Sequence, residues 1–219
     1  MIRIRNLSLS PDEGREALLA RAAKRLHVPA DRITGLKLYK RSIDARKMHD
    51  VRVIYTVDLA LPDEASVLRL RGGDDVLAAS DPVYTLPRAA ALPPQRPVVA
   101  GFGPAGMFAA LVLAEAGLCP IVLERGGSVD DRRRAIDRFQ AGGALDPDCN
   151  IQFGEGGAGA FSDGKLNSGI SNPRIRWILA RLHDAGARED ILHDAKPHIG
   201  SDILPVVVKS IREHIVRLG

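Results

Sequence analysis

Hydrophobic and polar positions change period several times along the chain, and each change marks an element. Ile2 to Leu9 reads as a strand. Ser10-Pro11-Asp12-Glu13 has the form of a capping box opening a helix, with Leu18, Leu19, Ala22 and Leu26 as its apolar face. Leu36 and Leu38 lie in a second strand. Val51, Val53, Tyr55, Val57 and Leu59 alternate with mostly polar residues and give a third, reached through a long hairpin at 42–50. The stretch 64–70 fits either a short helix or a strand. The pattern predicts a small α+β module of βαββ type over residues 1–90. Pro82, Pro87, Pro93, Pro94 and Pro97 then mark an extended linker.

Beyond the linker the period changes. A short apolar run (Val98, Val99) stops at Gly101-x-Gly103-x-x-Gly106. A helix-like segment follows, and a second apolar run (Ile121, Val122, Leu123) ends in Glu124. This is the sequence form of a β-turn-α-β unit that holds an ADP moiety. Gly101 allows the tight turn, Gly103 lets backbone approach a pyrophosphate, and Gly106 lets the helix pack close to the strand. Pro104 and Ala105 fall in the first helical turn, where proline loses no internal bond and free N–H groups face a phosphate. Ala109, Ala110 and Ala114 continue the small-residue helix, and Gly117 suits its end. Glu124 accepts hydrogen bonds from ribose hydroxyls and repels a 2′-phosphate, which selects FAD or NAD over NADP.

Asp130 and Asp131 begin a further helix with Arg132, Arg133, Arg134 and Arg138, its apolar side formed by Ile136 and Phe139. Arg125 and Arg132 are placed to reach cofactor phosphates; the alternative for Arg132 is the helix surface. Asn172-Pro173 starts another helix (Ile175, Ile178, Leu179, Leu182, with Gly186 near its end). Asp202 opens a last one with Val207, Ile211 and Leu218.

A second glycine-rich segment runs from Phe153 to Leu166. Glycine at this density raises the entropy cost of folding, so it belongs where backbone passes close to something flat or anionic. Gly159-x-x-x-x-Gly164-Lys165 mimics a phosphate-binding P-loop, but Leu166 stands where a Mg²⁺-binding hydroxyl is needed and no apolar strand leads in. An ATPase is therefore rejected. A loop around a flavin's pyrophosphate or ring edge fits better, with Gly156, Gly157, Ala158, Gly159 and Ser162 supplying donors. The alternative, a flexible surface loop, is weakened by Phe153 and Phe161.

Composition changes this picture little. The apolar share of 45% and charged share of 26% are those of a globular protein. No segment reaches membrane-spanning length, and the N-terminus lacks the apolar stretch of a signal peptide. Cys119 and Cys149 are far apart and form no C-x-x-C, which argues against dithiol chemistry and for a reducing cytoplasm. Residues 1–90 hold sixteen Lys/Arg against twelve Asp/Glu, an excess open to contact with nucleic acid or to a plain solvated sheet face. The six histidines show no metal-ligand spacing, so no metal is expected. No hydrolytic constellation exists. Lys165, beside a flavin or phosphate, and His198, as a proton relay, are the catalytic candidates.

The segments RPVVAGFGPAGMFAALVLAEAGLCPIVLERG, FGEGGAGAFSDGKLNSG and DAKPHIGSD resemble the bacterial FAD-dependent dehydrogenases of the NAD(P)/FAD-dependent oxidoreductase class. These are flavoproteins with two dinucleotide-binding domains and a small α+β extension at the N-terminus. The resemblance covers essentially the whole chain, and the two glycine segments are its most specific parts. It implies an α/β, Rossmann-like FAD-binding domain over 91–219, incomplete, preceded by the 1–90 module. It further implies FAD as prosthetic group, with Gly101, Gly103, Gly106 and Glu124 on the ADP half. Gly156 to Gly159 and Ser162 would lie nearer the pyrophosphate and flavin. Members continue well past Gly219, so the expectation is an amino-terminal piece that binds FAD weakly and does not turn over. Three functions follow as expectations. The first is an FAD-dependent oxidoreductase with NAD(P)H or an organic substrate as electron partner. The others are a flavin-dependent RNA-modifying enzyme gripping RNA through the basic module, and a nucleotide-binding module without turnover.

Overall fold

The computed structural model describes residues 1–162, 164–166 and 172–219. Within these the chain forms two units: Met1–Pro82 with Leu192–Lys196, and Val83–Ile191 with Pro197–Gly219.

In the first unit, Ile2, Ile4, Leu7 and Leu9 of β1 (Ile2–Leu9) face one side and are buried. Two exposed residues, Arg5 and Asn6, interrupt the alternation at a bulge opposite a neighbouring strand, where Asn6 takes the left-handed conformation. The remaining elements are α1 (Arg15–Leu26), β2 (Gly35–Asp44), β3 (Arg52–Ala60), α2 (Glu64–Arg71) and β4 (Val76–Ala78). The sheet is antiparallel throughout, in the order β2-β3-β1-β4. This is a βαββαβ, split-βαβ arrangement. It corrects the βαββ expectation: the ambiguous stretch is helix α2, and β4, three residues long, is too short to show a period. Leu18, Ala22 and Leu26 of α1 and Val67 of α2 close the core over Val57 and Leu59.

The start of α1 is a second correction. Glu13 accepts the Ser10 N–H at 2.6 Å, as a capping box requires, but this bond closes a turn ahead of the helix, which begins after Gly14. Glu13 also holds Arg21 at 2.8 Å. Arg3 is buried with a bidentate bond to Asp58 at 2.7 and 2.8 Å, and the Tyr39 ring lies 3.3 Å from its guanidinium carbon. These partners hold Arg3 more firmly charged than usual, with hydrogen bonding to Asp58 as the largest cause. The returning segment is tied to β2 by Arg41, which donates twice to Asp194 at 2.7 Å.

In the second unit, β5 (Val98–Ala100) and β6 (Ile121–Leu123) pair in parallel, joined by α3 (Pro104–Glu115). A parallel pair needs such a crossover because its two strands run the same way. Three more helices follow: α4 (Val129–Gln140), α5 (Pro173–Asp184) and α6 (Leu204–Arg217). Asn172 caps α5 by accepting the Arg174 N–H, and α6 begins after Ile203. α6 packs on both α3 and α4 through Val207, Val208, Ile211 and Ile215, all buried. Trp177 of α5 meets Tyr84 and Phe108 edge to face. One face of the parallel pair is open, with Val98 60% and Leu123 58% exposed. The protein is thus mixed α/β, with an antiparallel sheet and a small parallel one. No helix among the described residues is long and apolar enough to cross a membrane.

Candidate functional site

The turn from β5 to α3 carries three glycines in three different situations. Gly101 has φ +90°, a left-handed value that disfavours other side chains. A Cβ on Gly106 would lie 2.0 Å from the Gly101 carbonyl oxygen, so the helix approaches the turn closer than any side chain permits. A Cβ on Gly103 would meet nothing within 4 Å. Gly103 is also the N-cap of α3 and offers no side chain to its first N–H groups. Pro104 and Ala105, in the first turn of α3, are exposed. The mouth of the turn is therefore open space bordered by free backbone donors at a helix N-terminus, the setting in which anions bind.

β6 delivers Glu124 to this turn. Its Oε2 accepts the Phe102 N–H at 2.6 Å and its Oε1 accepts the Gly126 N–H at 2.9 Å. Each carboxylate oxygen keeps further acceptor capacity, so hydroxyl donors can still be received. Glu124 lines a cavity of about 300 Å³ with Phe102, Gly127, Arg212, Ile215 and Val216. That volume is at the lower end for small-molecule pockets. Its charged lining is two carboxylates, Glu124 and Glu155, against the single guanidinium of Arg212.

The second glycine segment folds against the first. The Gly156 N–H donates to the Phe102 carbonyl at 2.7 Å, and a Cβ on Gly157 would lie 3.2 Å from Pro104 Cδ. Ala158 and Gly159 enter a short 3₁₀ turn ending at Phe161, and Ser162 beyond it is exposed. The P-loop-like run passes through Asp163, outside the described residues. Lys165 and His198 stand opposite each other in an isolated antiparallel bridge, both exposed, with the Leu166 N–H on the Pro197 carbonyl at 3.0 Å. The bonds of this bridge run between their neighbours, the second from the Ile199 N–H to the Gly164 carbonyl at 3.1 Å.

Arg132 requires a correction. Expected on cofactor phosphates or on the helix surface, it is fully buried on α4 and its donors are spent on backbone carbonyls. Nε and Nη2 reach Asn150 at 3.1 and 2.9 Å, Nη2 also reaches Ile151 at 2.9 Å, and Nη1 reaches Glu155 and Gly157 at 2.5 and 2.8 Å. The Phe161 ring centroid lies 4.6 Å from its guanidinium carbon. Burial lowers its pKa, yet an arginine remains charged. No such group can also bind a phosphate; it draws the carbonyls of the loop inward. Arg125 is exposed, paired with Asp148 at 3.0 Å.

Two residues that sequence reasoning missed complete the arrangement. Glu155, 3% exposed, accepts the Val129 N–H at 2.7 Å at the start of α4, and Arg212 Nε lies 2.7 Å from its Oε1. A lone carboxylate inside a glycine run was a visible signal for Glu155. Arg212, on a helix face among other charges, gave none. Among the described residues no cluster of His, Cys, Asp or Glu could hold a metal ion.

Comparison with known proteins adds two findings. Residues 1–60 match a family described as a domain of unknown function (DUF8436). Over all 219 residues the chain is 43% identical to a protein of Clostridium beijerinckii named only as uncharacterized, and it spans 41% of that protein's length.

Proposed function

We propose that the second unit is a Rossmann-like domain that binds the ADP half of FAD, as part of an FAD-dependent oxidoreductase. The observation that carries this reading is the 2.6 Å bond between Glu124 and the Phe102 N–H, which joins the acid after β6 to the glycine turn after β5. A dinucleotide site needs both in one place: helix N–H groups for the diphosphate and a carboxylate for the ribose. The open space at Gly103 supports the fit, since a diphosphate must approach backbone there. In this reading the N–H groups at the start of α3 hold the phosphates, and Glu124 holds the ribose. Ile215 and Val216 offer an apolar wall, and Gly156 to Gly159 flank the diphosphate. The excess of carboxylates in the cavity disfavours a 2′-phosphate. FAD, when bound, supplies the redox chemistry. NAD(P)H or an organic substrate is the proposed electron partner, and the unpaired Cys119 and Cys149 favour a reducing, cytoplasmic setting.

Calorimetric titration with ADP tests the reading directly, because it asks only for the half-site described. The expected result is saturable one-to-one binding, with FAD competing and a 2′-phosphorylated ADP binding at least tenfold more weakly, about 1.4 kcal/mol. Gly103→Ala should leave folding unchanged, since its Cβ meets nothing, while weakening ADP by about tenfold or more. ADP binding that is absent, or indifferent to both Gly103→Ala and Glu124→Gln, would overturn it.

A further inference from the structure

Within the first unit lies an open cleft of about 880 Å³, bounded by the bulged part of β1, the last turn of α1 and the connection from α2 to β4. Five cationic side chains line it (Arg5, Arg21, Lys24, Arg25 and Arg71) against two carboxylates, Asp74 and Asp75. Two of the cations are already neutralised: Arg21 by Glu13 at 2.8 Å and Arg25 by Asp75 at 3.3 Å. Arg5, Lys24 and Arg71 make no ion pair or hydrogen bond through their side chains among the described residues.

Helix electrostatics accounts for part of this. Lys24 and Arg71 sit in the last turns of α1 and α2, where cations favour the negative end of the helix. Arg5 has no such reason. It is on a strand, at the bulge where Asn6 adopts φ +57°, and the bulge turns two consecutive side chains out of the sheet's alternation. Bulges that re-aim a side chain commonly do so at functional sites. Three unpartnered cations gathered in one cleft, against the single unpartnered carboxylate of Asp74, oppose folding and attract anions.

The remaining chemistry of the cleft narrows the ligand. A β-strand peptide is disfavoured: β4 pairs only with Ile2–Ile4, and the outward carbonyl of Ser8 beyond it already takes Arg21. The one ring in the lining is the imidazole of His27; with no Phe, Tyr or Trp beside it, a nucleobase finds no extended stacking platform of the kind single strands use. Charge is the main basis of recognition, with Asn6, Ser8 and His27 as the other polar side chains of the lining. We propose that this cleft binds a small ligand carrying two or three linked phosphate groups, held by Arg5, Lys24 and Arg71. It goes beyond the dinucleotide reading and rests on residues of the first unit alone.

Titration of the full chain with inorganic tripolyphosphate at low salt tests the proposal. One-to-one binding is expected, weakened about tenfold by each of Arg5→Gln, Lys24→Gln and Arg71→Gln, as loss of a charge-assisted contact implies. The triple variant should lose binding while its melting temperature stays level or rises; a structural role for these residues would lower it. Gly103→Ala should leave tripolyphosphate binding intact. Four results would overturn the proposal: no binding, binding that survives in the triple variant, binding abolished by Gly103→Ala, or an RNA oligonucleotide bound through the same three residues that tripolyphosphate cannot displace.

Discussion

The two glycine-rich segments of the second unit lie against each other but are held in opposite ways. The turn at Gly101–Gly106 is fixed by regular backbone: the Gly101 N–H donates to the Leu123 carbonyl at 2.6 Å, and the Met107 N–H to Gly103 at 2.8 Å. The segment from Asn150 to Gly157 has no ladder. It is gathered around one buried side chain, Arg132, which collects carbonyls from five of its residues. The first segment is built from the inside of a βαβ unit outwards. The second is a loop wrapped on a cation. The contrast teaches where each is vulnerable: the turn to added volume, the loop to a lost donor.

The largest expected effect follows from the loop. Arg132→Met keeps an apolar stem but leaves the carbonyls of Asn150, Ile151 and Glu155 without donors, while those of Gly154 and Gly157 keep the Gly157 and Ala160 N–H groups; each orphan that stays buried costs about 1–3 kcal/mol. Because the loop can open to water, the net loss should be about 3 kcal/mol in urea unfolding rather than the full sum. Arg132→Lys sharpens the comparison. A lysine keeps the charge but radiates its donors from one nitrogen, so it cannot span the carbonyls that the guanidinium fork reaches. An intermediate loss is expected. Full rescue by lysine would mean that charge, not geometry, holds the loop.

The turn should fail through packing instead. In Gly106→Ala the new methyl would lie 2.0 Å from a backbone oxygen that cannot rotate away, so helix α3 must shift. Overpacking of this kind costs about 1–3 kcal/mol. Urea unfolding should show that loss in Gly106→Ala and none in Gly103→Ala, three residues earlier on the same turn. Equal stability of the two variants would break the distinction between a packing glycine and an approach glycine.

Why one segment was legible and the other was not is a matter of which atoms carry the information. The spacing from Gly101 to Glu124 encodes a strand, a turn, a helix and a second strand, and their lengths force Glu124 back to Phe102. Side-chain identity suffices there. Arg132 instead binds backbone carbonyls 18 to 25 residues away, and every residue has a carbonyl, so nothing in the sequence marks the partners. The same limit explains the first unit. The alternation of Val53 to Leu59 shows a strand plainly, whereas Val76–Ala78 is too short to alternate. The Ser10–Glu13 pair looked like a helix start because its side-chain bond is real; only the position of Gly14 reveals that the helix begins later. The cleft cations could be counted in sequence, but the bulge that brings Arg5 into their company could not.

The smallest effect concerns how α4, the helix that carries Arg132, is started. Ser128 caps it: the Asp131 N–H donates to Ser128 Oγ at 3.2 Å, and Ser128 Oγ donates to the Asp131 carboxylate at 2.6 Å. The Ser128 hydroxyl, and then Arg134, hold the Asp131 carboxyl below its ordinary pKa. A depressed carboxylate contributes stability that is fully present above its ordinary pKa and is lost as pH falls through the folded value. Ser128→Ala should therefore cost about 1 kcal/mol at neutral pH, the usual worth of a cap. The gap between variant and parent should narrow in acid, once Asp131 is protonated in both. It should not close, because the bond from the Asp131 N–H to the hydroxyl does not titrate. Urea unfolding at neutral pH and again below the carboxylate range measures both values. A gap that stays constant with pH would show that the bond from Ser128 Oγ to the Asp131 carboxylate adds nothing to the cap, and that the hydroxyl serves α4 only by accepting the Asp131 N–H.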